Sequence, residues 1–337
     1  MKLGDLSITY VELLARAMDS LGTPPAPLLE QFRIEASTLS SPDTRISIPR
    51  FMRLGHTAIQ QTGAPWLGLQ MGRISQPSHL GVAGLLAMTA PTLREALQAV
   101  ADYELLSSYN SRGASAFSVN QGQGRLTFYS ISPYNEYNLF VVDSVLGGWF
   151  RLPEALTGKQ GLVQSVQIEF DEPSYAARYQ EHFRCPVHFG AESNSIILSR
   201  EALDLPVLQR CASVYEGLKR QADRELERVR LGLSVRESVA RSIGPLLNGQ
   251  TPELEVVARR LNMAPWTLRR RLQAEGVTFQ QVLNETRQAL AESYVRDTAL
   301  TLGEIAYVLG FGSAAAFQRA FKRWTGEAPG RYRELRR

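Results

Sequence analysis

Apolar residues recur at intervals of three and four over most of this chain, with a few short alternating runs near its middle. Residues 8–21 carry a helical stripe ended by Gly22 and a turn rich in Pro24, Pro25 and Pro27. Short helices are predicted at 27–32 and 48–61, and longer ones at 80–90 and 92–109, with Pro91 at the start of the last. Residues 114–119 and 125–131 read as strands, and Gln121-Gly122-Gln123-Gly124 between them reads as a hairpin. A helix over 137–152, a strand over 165–170, a helix over 175–183 and a short strand over 195–198 follow. Mixed helices and short strands predict an α+β domain over 1–205.

Pro206 marks a boundary, and 206–232 reads as a connecting helix. Leu208, Tyr215, Ala222 and Val229 recur every seven residues, with Cys211 and Leu218 between them. Such a seam fits either a helix paired with its copy in a homodimer or one packed on its own domain.

From 233 to 337 the helical period repeats as a unit. Leu254, Val257, Ala258 and Leu261 occupy positions i, i+3, i+4 and i+7, and Leu302, Ile305, Ala306 and Leu309 repeat that spacing 48 residues on. Each set is followed by a turn residue, Asn262 or Gly310, and by a second short helix. Asn and Gly enter the left-handed region at low cost. Ser234 with Glu237, Thr278 with Gln281 and Thr301 with Glu304 are capping-box pairs, and Thr251-Pro252 is read as another helix start. Seven helices are predicted, forming an all-α domain of two helix-turn-helix units joined by a long helix over 278–295. At about 1.5 Å per residue that helix spans about 27 Å, which suits two readers about one DNA turn apart, in successive major grooves.

Charge sharpens this picture. Residues 233–337 hold 16 Lys/Arg and 10 Asp/Glu, a balance of +6, and the rest of the chain holds 21 and 23. A basic C-terminal part on a near-neutral body suits a nucleic-acid partner. Leu268 and Leu272, then Phe317, Phe321 and Trp324, supply the apolar faces of the two second helices. That turns Trp266, Thr267, Arg269 and Arg270 outward on the first, and Ala314, Ala315, Gln318 and Arg319 on the second. Arg can bond guanine, Gln can bond adenine, and Ala or Thr can touch a thymine methyl. Arg271, Lys322, Arg323 and Arg331 fall where phosphates would run.

The stretch from SVRESVARSIG through LTLGEIAYVLGFGSAAAFQRAFKRWTGEAPGRYR resembles the DNA-binding domain of AraC/XylS-type transcriptional regulators. Its most specific part is EIAYVLGF…AFQRAFKRWTGEAPGRYR, including Gly326, Pro329 and Tyr332. The alanine run at 314–316 departs from the polar residues common in the family, which shifts that unit's reading toward Gln318, Arg319, methyl contacts and phosphate. LRRRLQAEG…RQALAESYV and HLGVAGLLAMTAPTLREAL are similar to the subgroup whose N-terminal half is a non-jelly-roll ligand domain, loosely called arabinose-binding. The resemblance implies a bacterial, cytoplasmic regulator. It would activate, less often repress, a nearby operon when a small molecule binds, through contact with RNA polymerase. It does not imply arabinose.

Ten of the 29 aromatic residues fall between 103 and 150. Pockets are mostly apolar with a few oriented polar groups, so Tyr103, Glu104, Tyr109, Asn110, Phe128, Tyr134, Tyr137, Asn138 and Trp149 are the candidate effector ligands. The alternatives are a ligand-independent regulator whose N-terminal half only dimerises or binds a protein, and an enzyme fused to a DNA-binding tail. The four histidines sit in no HExxH, GxSxG or Cys/His nucleophile pattern, so no catalytic residue is expected. His182, Cys185 and His188 are spaced by three, but Pro186 would break a helix there, so no metal or cofactor is expected. Two cysteines without ligand spacing, no leader-like N-terminus and no long apolar run point to a reducing compartment and no membrane span.

Overall fold

Two sheets wrapped in helices make up the N-terminal half, and helices alone make up the C-terminal half. The computed structural model describes residues 4–41, 44–110, 114–120, 122–130, 134–231, 234–247, 249–298 and 300–336, with only the backbone of Tyr109, Asn110, Arg228, Arg230, Leu231, Arg241, Pro245, Asp297 and Arg336. Gln121 and Ile131, placed above in the hairpin and at a strand end, lie outside the described residues.

A small antiparallel sheet runs Arg45–Ser47, Gly4–Ser7, Ser108–Asn110. Its strands have three or four residues, too few for alternation to show. The helix expected over 92–109 is therefore divided into Leu93–Asp102, Glu104–Ser107 and the strand Ser108–Asn110. Pairing of Asp5 with Tyr109 and Leu6 with Ser108 draws the last residues into the sheet.

The larger sheet runs Ala116–Asn120, Gln123–Phe128, Asn194–Leu198, Val163–Gln167, Val187–His188. All neighbours are antiparallel except the last pair, which the helix Ala176–Phe183 connects. The hairpin is tighter than its glycines suggest: Asn120 pairs with Gln123, so Gln123 and Gly124 belong to the strand. All five residues of Asn194–Leu198 are buried, as a central strand covered on both faces requires.

The helix Leu139–Thr157 crosses the domain against the helix Leu67–Ile74. Glycine permits the close approach. A Cβ on Gly68 would lie 2.3 Å from the Phe140 carbonyl oxygen, and one on Gly72 would lie 2.6 Å from Gly147 Cα. The helix Ala212–Leu231 buries Tyr215, Ala222 and Leu226 in the same core as the larger sheet, against the helix Val82–Thr89. Its heptad seam thus faces its own domain, with Leu218 half-buried there and Leu208 exposed.

Among the described residues seven α-helices follow: Val235–Ile243, Leu254–Arg260, Pro265–Ala274, Phe279–Asp297, Leu302–Val308, Ala314–Thr325 and Pro329–Arg336. The capping boxes at Ser234/Glu237, Thr278/Gln281 and Thr301/Glu304 all form. Thr251 does not cap, because the next helix starts only at Leu254. The 19-residue helix Phe279–Asp297 joins the two units and also packs on the helix Ile48–Thr62 of the N-terminal half. The architecture is α+β followed by an all-α domain with paired helix-turn-helix units.

Candidate nucleic-acid interface and effector cavity

In each unit a short helix, a left-handed residue and a second helix meet. Asn262 (φ 51°) and Gly310 (φ 69°) are the left-handed residues, as their types led us to expect. Ala258 and Ala306 are buried in the first helices. Leu268 and Leu272 seat the second helix of the first unit, and Phe317 and Phe321 seat that of the second. Trp324 packs half-buried against Phe311, with ring centroids 5.9 Å apart.

The outward faces differ. On Pro265–Ala274, Trp266 is 64% exposed, Arg269, Arg270 and Arg271 are exposed, and Thr267 is half-buried. The Arg270 guanidinium lies 5.1 Å from the Trp266 ring centroid, a cation–π contact that favours their lying side by side. On Ala314–Thr325, Ala315, Gln318, Arg319, Lys322 and Arg323 are exposed, and Arg331 is exposed on the last helix. Ala314 is instead half-buried against the core, because helix rotation takes it to the edge of the apolar face.

Three residues that carried no signal in the sequence tie the helices of this domain together. Arg287, buried on the joining helix, donates to the carbonyls of Leu309 and Gly310 and to Thr251 Oγ1, each at 2.8 Å. It also lies 5.0 Å from the Phe311 ring centroid, and burial pushes its pKa down. Thr251, read as a cap, is therefore part of this clamp between units. Arg333 Nε donates to the Val295 carbonyl at 2.9 Å, near the end of the joining helix. The Glu275 carboxylate accepts from the backbone amides of Val235 and Arg236 at 2.7 and 2.9 Å, tying the first helix to the first unit. Helix ends attract such charges. An arginine spent on carbonyls has no sequence mark that separates it from one facing phosphate.

The N-terminal half encloses a cavity of about 70 Å³. Of the candidate effector ligands, Glu104, Phe128 and Trp149 line it. Tyr103 instead donates to Asp223 on the Ala212–Leu231 helix. Tyr134 donates to Glu169 and accepts from Asn194 at 2.7 Å, in a separate network. Tyr137 lies against His56 with ring centroids 4.2 Å apart, and the buried Asn138 accepts from the Asn135 amide at 2.8 Å. The side chains of Tyr109 and Asn110 lie outside the described residues.

The cavity also takes residues that were not anticipated, among them Tyr10, Phe51, His79 and Arg151. Arg151 was legible as one of three charges in the apolar run of Leu139–Thr157. Burial lowers the His79 pKa and raises that of Glu104, whose carboxylate accepts from Ser115 N and Oγ, both at 2.7 Å. Elsewhere in the domain, Asp143 is buried and accepts from Tyr179 Oη at 2.6 Å and Tyr175 Oη at 3.2 Å. Burial pushes its pKa up to about 7. His182 lies 3.4 Å from the Gly147 carbonyl, and burial pushes its pKa down to about 4.

Residues 22–207 match the family described as the arabinose-binding domain of AraC transcription regulator, N-terminal, and residues 257–335 match a helix-turn-helix domain. The ornithine utilization regulator of Pseudomonas aeruginosa is 29% identical over 97% of this chain and 96% of its own length. The HTH-type transcriptional regulator VirS of Mycobacterium tuberculosis is 27% identical over 94% of this chain and 92% of its own. Among solved structures, the transcriptional regulator CdpR from Pseudomonas aeruginosa covers 95% of this chain and 97% of its own at 23% identity and a TM-score of 0.44. The chain belongs to the AraC transcription regulators that combine an arabinose-binding-type N-terminal domain with a helix-turn-helix DNA-binding domain.

Proposed function

We propose that this regulator reads DNA mainly with its first unit and positions itself with its second. The observation that carries the reading is the contrast between the two exposed helix faces. Trp266, Arg269 and Arg270 form a preorganised hydrogen-bonding and stacking surface on the first. Ala315, Gln318 and Arg319 on the second offer a methyl, one amide and one guanidinium, with Lys322, Arg323 and Arg331 toward phosphate. The joining helix, about 28 Å long at 1.5 Å per residue, spaces the pair for successive major grooves. Arg269→Ala is expected to relax specificity at one base position and to cost about 1–3 kcal/mol, while Lys322→Ala weakens specific and random DNA alike. Footprinting and titration on both DNAs check this; equal losses on both for both variants would overturn the assignment.

The same reading gives the N-terminal half a sensing role, with the cavity lined by Glu104, Phe128 and Trp149 as the effector site. It makes residues up to 231 one unit, since the Ala212–Leu231 helix completes the N-terminal core, and leaves 233–337 as the DNA-binding part. The protein acts without catalysis, as an activator in the cytoplasm that touches RNA polymerase. The relatives that match it over nearly their full length are named as regulators, and one is named for utilisation of a metabolite. DNA affinity of the full chain, titrated with small-molecule metabolites, tests effector control. The outcome against it is an affinity no metabolite changes.

A further inference from the structure

The cavity wall is apolar for most of its extent, yet two ionisable side chains of opposite sign reach it. The Glu104 carboxylate is held rigidly, one bond from Ser115 to each oxygen. Each oxygen keeps a further lone pair. Among the described residues no Lys or Arg forms an ion pair with it. A carboxylate taken out of water without a cation is costly unless a ligand supplies one.

Arg151 is the counterpart. Its Nε is buried with no hydrogen-bond partner, while its Nη1, on a partly exposed side chain, makes a loose ion pair with Glu154 Oε2 at 3.9 Å, beyond hydrogen-bond length. A guanidinium edge left open in this way suits a carboxylate taken bidentately. Arg151 lines both the cavity and an outer groove of about 630 Å³, so it stands where the two adjoin. Phe51, Phe128 and Trp149 supply apolar wall that suits methylenes. Size bounds the ligand as well. At roughly 10–15 Å³ per water, the cavity of about 70 Å³ holds about five waters' worth of space, enough for roughly five to ten non-hydrogen atoms.

We propose that the cavity binds a small aliphatic amino acid, with an ammonium group on Glu104 and a carboxylate on Arg151. This rests on the sensing role given above to the same cavity. Binding gives the Glu104 carboxylate a cation and the buried Arg151 Nε an acceptor, and an uncharged apolar molecule of the same size would supply neither. Burial raises the Glu104 pKa, and an ammonium beside it would favour the charged form.

Isothermal titration of the full chain with L-ornithine, 5-aminopentanoate, 1,4-diaminobutane and pentanoate tests this. At least one of the two amino acids binds, and pentanoate binds at least tenfold more weakly. Glu104→Gln weakens the amino acid at least tenfold. Arg151→Met weakens it similarly but does not weaken diaminobutane, whose second ammonium gains nothing from a guanidinium. Glu104→Asp, which keeps the charge, restores part of the loss and guards against a folding defect in the Gln variant. Pentanoate binding as tightly as the amino acids overturns the proposal, as does amino-acid affinity unmoved in both variants, or no binding by either amino acid. A neutral or anionic metabolite that changes DNA affinity in the last case leaves the sensing role standing while the amino-acid chemistry falls. A DNA affinity that no small molecule changes removes the sensing role itself.

Discussion

Asp143 shows how one buried side chain sets a pH dependence. Its carboxyl is buried, serves two tyrosine hydroxyls, and is pushed up from 3.8 to about 7. The folded state therefore holds this proton where the unfolded state has lost it. The contribution to stability is complete below pH 3.8 and is lost as pH rises toward about 7. His182 acts in the opposite sense. Its folded pKa of about 4 against 6.5 makes stability rise with pH between those values. The two partly cancel in the native protein, so the variant must be compared with wild type at each pH. Asp143→Asn is expected to gain on wild type progressively from about pH 4 to pH 7, by a few kcal/mol in all, and to hold that gain above pH 7. Melting curves across that range check it; a constant difference at all pH values would show that Asp143 is not the titrating group. At this scale the candidate effector site was half legible. Glu104, Phe128 and Trp149 stood within one aromatic-rich stretch of sequence. Tyr10 and Phe51 come from two other helices and reach the same wall only through packing, while Arg151 follows Trp149 by two residues on one helix.

Helices opened by a capping box were read correctly, and elements held by partners were not. Each capping box is a local exchange of hydrogen bonds within four residues, so Ser234, Thr278 and Thr301 announce their helices. The short strands Gly4–Ser7, Arg45–Ser47 and Ser108–Asn110 exist because each has another to pair with, and nothing local marks them. The turn at Gly310 combines both kinds of cause. Its left-handed backbone was expected from residue type, but the contact that forbids a side chain was not. A Cβ there would lie 2.3 Å from the Gln250 carbonyl oxygen and 3.1 Å from Arg287 Nη2. Gly310→Ala is expected to cost about 1–3 kcal/mol from backbone strain alone, with the clash added. It should also open the Arg287 clamp between the units. Hydrogen exchange of the Leu302–Val308 and Leu254–Arg260 amides measures both effects. Faster exchange confined to Leu302–Val308 would remove the clamp from the account.

Across the whole molecule, the helix Ile48–Thr62 joins the two functions. Phe51 on it lines the cavity, and the same helix packs on the joining helix Phe279–Asp297. Beside that contact lies a groove lined by Ser47 and Pro49 on one side and by Glu285, Ala289 and Ser293 on the other. A cavity wall that moves on ligand binding thus has a continuous packed route to the element that spaces the two DNA readers. Ala289→Trp, which fills the groove, is expected to leave ligand affinity and basal DNA affinity within about twofold of wild type while reducing the change in DNA affinity that the ligand causes. Binding measured with and without each partner closes that cycle; full coupling in the variant would exclude this route.

The amino-acid order by itself determined the paired helix-turn-helix units, their left-handed turns, their caps and the basic character of the C-terminal part. Each rests on residues within a few positions of one another, where the helical period and side-chain-to-backbone bonds act locally. Tertiary structure alone decided which arginines face outward and which, like Arg287 and Arg333, bind carbonyls within the fold. It turned the heptad seam of Ala212–Leu231 onto its own domain and gathered Glu104 and Arg151 around one cavity. Those outcomes depend on burial and on partners distant in the chain, and a charge or an apolar residue carries no local sign of what it will meet.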